Sequence, residues 1–106
     1  MLHYGYVLQK IGLMGTNDYL ALVKHVREES ALIIPLLVQR DGRDQNLESL
    51  KTLALSVGLE ELGLYVQSIE SMLMRGADVT AASYLELLPQ RFIESLDELD
   101  AFLSTF

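Results

Sequence analysis

The chain contains no cysteine, which excludes disulfides and thiolate chemistry and fits the cytoplasm. It has no run of eighteen consecutive apolar residues, so no segment is expected to span a membrane. Its first residues, MLHYGYVLQK, lack the basic start and apolar block of a secretory signal. Bases are scarce: eight Lys and Arg stand against fifteen Asp and Glu, for a net charge of −7. A domain so charged repels a phosphate backbone, which disfavours nucleic acid as a partner. The only imidazoles, His3 and His25, are distant from one another and have no clustered carboxylates, so neither a metal nor a cofactor is expected. Glu28-Glu29 and Glu60-Glu61 are adjacent pairs that diverge on a helix and cannot act as an acid/base couple. There is no glycine-rich phosphate loop and no nucleophile triad. No stretch reads as a strand, and there is no internal repeat, low-complexity segment or linker.

What is present is enough apolar residue, half of the 106, to build one core, and residues 1–106 read as a single domain. The apolar spacing is helical throughout. Residues 2–13 predict a short helix with Leu8, Ile11 and Tyr4 on one face, packed across the end of a bundle. A second helix is expected from Asp18 to Gln39, with Tyr19, Val23, Val26, Ser30, Ile33 or Ile34, and Leu37 inward. Pro35 should kink it or end it early. Asp41 or Asp44 is expected to cap a third helix that ends near Gly58. The fourth, from Leu59 to about Arg75, turns Leu62, Tyr65 or Val66, Ile69, Met72 and Leu73 inward, and Gly63 permits a close neighbour. The last, capped by Asp78 or Thr80, carries Leu85, Leu88, Phe92, Leu96, Leu99 and Leu103, with a kink or a fresh start expected at Pro89. Short loops between such helices predict antiparallel neighbours crossing at roughly 20°.

The third segment, LESLKTLALSVG, is the most informative. Leu47, Leu50, Ala54 and Val57 form its apolar stripe, while Glu48, Lys51, Thr52 and Leu55 share the neighbouring face. Leu55 is expected to be exposed there. The order of residues resembles the motif of histidine-phosphotransfer (HPt) domains, H-x-L-K-G followed by small and apolar residues and a second glycine six positions after the first. Leu50, Lys51 and Gly58 match in place. Glu48 stands where that family carries its phospho-accepting histidine, and Thr52 where it carries a small residue, usually glycine. Downstream, Leu62, Tyr65, Ile69 and Glu70 fit the family's L-x-x-L-x-x-x-L-E spacing, and DYLALVKHVREESALIIPLL is similar to its long second helix.

The resemblance implies an all-α, antiparallel four-helix bundle with a short extra N-terminal helix, in which Leu50, Gly58, Leu62 and Ile69 are structural. It implies a module of two-component signalling whose partner is the receiver domain of a response regulator or hybrid histidine kinase. Oligomeric state is expected to be monomeric, or the chain to be a fragment of a larger sensor kinase. Phosphotransfer needs an exposed imidazole nitrogen, and a carboxylate at Glu48 is a poor nucleophile whose charge repels the incoming group. No catalytic residue is therefore expected, and Glu48, Lys51, Thr52 and Leu55 become candidate partner-binding residues, with Glu48 a fixed negative charge and a weak mimic of phosphohistidine. Two alternatives remain: a generic helical scaffold or oligomerisation domain, and a phosphotransfer domain that uses another residue. For the latter, His25 lies in KHVREE, which fits neither an HPt motif nor a kinase dimerisation motif.

Overall fold

The computed structural model describes residues 4–105, and His3 lies outside them. The described chain is helical: α1 (Tyr4–Met14), α2 (Thr16–Ile33), a 3₁₀ segment (Ile34–Val38), α3 (Arg43–Ser56), α4 (Glu60–Met74) and α5 (Asp78–Leu103). Among the described residues there is no strand. The molecule measures 43 × 22 × 21 Å. The 26 residues of α5 rise by about 39 Å, so this one helix runs nearly its full length.

The inward stripes meet in one cluster. Tyr19, Val23 and Val26 of α2, Leu37 of the 3₁₀ segment, Leu47, Leu50 and Ala54 of α3, Leu62, Val66 and Ile69 of α4, and Leu88, Phe92, Leu96 and Leu99 of α5 are all buried together. α3 and α4 run antiparallel, as pairs from opposite ends show: Lys51 reaches Glu70 and Leu55 faces Gly63. Between α4 and α5, Tyr65 stacks on Tyr84 and the Arg91 guanidinium lies over the Tyr65 ring, 5.3 Å from its centroid. α2 meets α5 in turn, where Arg27 donates to Asp100 at 2.6 Å.

One end is closed. α1 crosses it, with Tyr4 stacked on Phe102 at 4.3 Å between centroids and Val7 fully buried. The buried Tyr19 hydroxyl donates to the Val57 carbonyl at 2.6 Å, tying α2 to the end of α3. Burial pushes the Tyr19 phenol up to about 12, because a phenolate is penalised away from water. α3 stops at Gly58 (φ +84°), with the Gly58 and Leu59 amides returned to the Leu55 and Ala54 carbonyls. This is a left-handed cap that only glycine enters cheaply.

Several sequence expectations are corrected. The inward residues of α1 are Val7 and Ile11, not Leu8, which is exposed. α2 spans Thr16–Ile33 rather than Asp18 to Gln39; of the two outcomes expected at Pro35 it takes the early end, and the chain goes on as a 3₁₀ turn, since proline supplies no amide for an α bond. No side chain caps α2, α3 or α5: Gly15, Gly42 and Ala77 stand at those positions, and Thr16, Asp44 and Asp78 already lie inside the first turns. Pro89 does not restart α5, which is one helix through it. Pro89 and Leu85 both border an open groove, where the proline ring has room.

Candidate functional site

The outer face of α3 is set by its inner one. With Leu47 and Leu50 fully buried, Glu48 is turned about 100° from Leu47 and is exposed. Lys51, one turn on, bridges two carboxylates: its Nζ lies 2.8 Å from Glu48 Oε2 and 2.9 Å from Glu70 Oε1. The bond from Lys51 holds the Glu48 carboxyl below its usual range. Reciprocally, Glu48 and then Glu70 hold the Lys51 ammonium above its own. Lys51 is thus already neutralised, and the face is acidic.

Thr52 is exposed beside Glu48. Leu55 is not fully exposed as expected. It is half-buried, with its side chain turned against α4 where Gly63 leaves space; a Cβ at Gly63 would stand 2.5 Å from Leu55 Cδ2. The α3–α4 packing therefore uses much of the leucine surface that the stripe had left outside. Leu50, Leu62 and Ile69 lie in the core, and Gly58 makes the α3 cap.

The structure also brings to this face a residue that sequence spacing left apart. A shallow groove of about 330 Å³ between α2 and α3 is lined by His25, Glu29 and Ile33 on one side and Glu48, Ser49, Thr52 and Leu53 on the other. His25 is exposed on α2 and faces the Glu48–Thr52 edge. The Glu48–Lys51 spacing was readable as a one-turn pair. Glu70 and His25 were not, because their positions depend on how α4 and α2 flank α3.

The arrangement presents charge and shape on α3. Glu48 is a carboxylate tied to an ammonium, and no imidazole stands at its position. Among the described residues, no group of three or more His, Cys, Asp or Glu could hold a metal ion. Among them, too, no helix is long and apolar enough to cross a membrane. No family model matches the chain, and no curated protein or solved structure matches it either.

Proposed function

We propose that the chain is an HPt-like antiparallel four-helix bundle, α2 to α5, with α1 as its short extra helix, and that it binds a receiver domain without accepting a phosphoryl group. The observation that carries this reading is Glu48: a carboxylate exposed on α3, paired with Lys51, over the α2–α3 groove. This is the position and the lysine pairing that the resemblance assigns to a phosphohistidine site, with the nucleophile replaced. The docking face comprises Glu48, Lys51 and Thr52, with Leu55 at its edge and His25 and Glu29 across the groove. Because Lys51 is shared by Glu48 and Glu70, the face presents negative charge. It suits a receiver whose contact surface is apolar with a cationic group opposite Glu48. Such a partner would place the protein in the cytoplasm, within a two-component pathway.

The test is radiolabel transfer from a phosphorylated receiver, read alongside binding of the same receiver. The native chain should bind and stay unlabelled. Glu48→His supplies an imidazole nitrogen that can form the N–P bond as the aspartyl O–P bond breaks, and acid-labile label should appear. Adding Thr52→Gly should speed it by clearing the approach. Acid-labile labelling of the native chain would overturn the reading and point to His25. Absence of binding by every receiver tested would reduce the resemblance to one of fold. A scaffold or oligomerisation role is the second reading, favoured by exposed apolar residues at the end of the molecule opposite α1.

A further inference from the structure

That opposite end is open. The 3₁₀ segment and the start of α3 form one wall, the start of α5 forms the other, and a groove of about 650 Å³ lies between them. Its floor is apolar, with Ile34, Leu37, Leu73 and Leu85 among the lining residues. Val38, which lines it, is 83% exposed, and Met74 at 88% and Val79 at 85% follow the lining residues Leu73 and Asp78 in the chain. Single exposed apolar residues need no explanation, but several at one end around an apolar groove form a patch.

The two walls differ in charge. Arg40 and Arg43 line the first, with Asp44 beside them; Asp78 and Glu86 line the second, which has no base. Arg43 is engaged locally, its Nε donating to the Leu37 carbonyl at 2.9 Å. Among the described residues no ion pair joins the walls, so Arg40 on one side and Asp78 and Glu86 on the other face solvent unpaired.

We propose that this end is the contact surface of a two-fold dimer of the chain. In an isologous interface each patch meets its own copy in reverse, so residue i touches j and j touches i. Arg40 on one wall and Asp78 and Glu86 on the other, flanking an apolar floor, satisfy that condition: Arg40 of one protomer meets Asp78 and Glu86 of its partner, twice, around Val38 and Val79. The net charge of this end is small. Arg40, Arg43 and Arg75 stand there against Asp41, Asp44, Asp78 and Glu86, a net −1, while the rest of the chain holds −6 of the total −7. Two copies that meet here therefore bring little like charge together. The dimer is distinct from the α2–α3 face, which it leaves free, so failure of either proposal leaves the other standing.

Sedimentation equilibrium on the full chain, from about 10 μM to 1 mM, tests this. The expected result is a monomer–dimer equilibrium with Kd of roughly 100 μM, as suits a small end contact, weakening as salt rises. Arg40→Glu alone, and Asp78→Lys/Glu86→Lys alone, should each weaken self-association by about tenfold or more. An equimolar mixture of the two variants should recover it, because in the mixed dimer both wall contacts regain opposite charges. Circular dichroism keeps the result interpretable, since all three sites are exposed and the variants should stay helical. A native chain that is monomeric to 1 mM overturns the proposal. So does a dimer that both variants leave intact, or a mixture that stays monomeric, and binding of this end only to an unrelated amphipathic helix would assign the groove to a different occupant.

Discussion

The two ends of the molecule are made by the same turn and finish differently. α3 and α4 each stop in a left-handed glycine, Gly58 and Gly76, and each returns the next two amides to the last-turn carbonyls. At Gly58 the turn is covered: a Cβ there would stand 3.0 Å from Tyr6 C and Val7 N. At Gly76 nothing lies within 4 Å of that position. The local chemistry is shared, so it does not decide which end is sealed. What decides is a helix from elsewhere in the chain: α1 lies over the first turn, and among the described residues no element lies over the second. The closed end also gains the Tyr19–Val57 bond, while the open end keeps its apolar side chains in water.

The sharpest way to break this comparison starts from the layer that both ends share. Leu50 and Ile69 are fully buried on adjacent helices in the middle of the core. Cutting either to alanine should cost about 2–5 kcal/mol in urea unfolding. A loss below about 1 kcal/mol, the surface range, would mean that the inward faces of α3 and α4 are assigned wrongly.

Next in size is the contrast of the two glycines. Gly76→Ala meets only the left-handed penalty of about 1–2 kcal/mol. Gly58→Ala meets the same penalty and also pushes on the α1 backbone, which adds about 1–3 kcal/mol of overpacking. The two variants should therefore differ by more than about 1 kcal/mol, with Gly58→Ala the worse. Equal losses would show that α1 gives way without cost and that the closed end is closed only loosely.

Much of this architecture was legible in the sequence, because helical periodicity is local. The inward residues of α2 and α5 fall where a period of 3.6 puts them, from Tyr19 to Ser30 and from Leu88 to Leu99. The errors lie where a local pattern had two solutions. Val7 and Leu8 are adjacent and apolar, and only the covered turn at Gly58 selects Val7. Asp41 and Asp44 were both sensible caps for α3, yet a left-handed Gly42 took the position and left neither side chain bonded to the helix end. The candidate site divides the same way. Glu48 and Lys51 pair one turn apart, so one helix suffices to predict them. Glu70, His25 and the seat of Leu55 against Gly63 depend on three helices at once, and no spacing in the chain encodes that.

The smallest expected effect concerns how the closed end is tied, and pH isolates it. The Tyr19 hydroxyl is buried and donates to Val57, and its pKa is pushed up to about 12 from an ordinary value of 10.0. The folded state therefore holds this proton more tightly than the unfolded chain does. The associated stability is complete below pH 10, falls as pH rises from 10 towards 12, and is gone above that. Two pKa units correspond to about 3 kcal/mol in all, of which about half is lost by pH 11. Tyr19→Phe removes the proton altogether and leaves the Val57 carbonyl without its donor, so it should cost about 1–3 kcal/mol at pH 8. Tyr65, also raised by burial, contributes an alkaline loss of its own to both proteins, so the informative quantity is the difference between them. Between pH 8 and pH 11 the native chain should lose about 1 kcal/mol more than the variant. Parallel losses would mean that the phenol is open to water and that α2 is not fastened to the end of α3 by this bond.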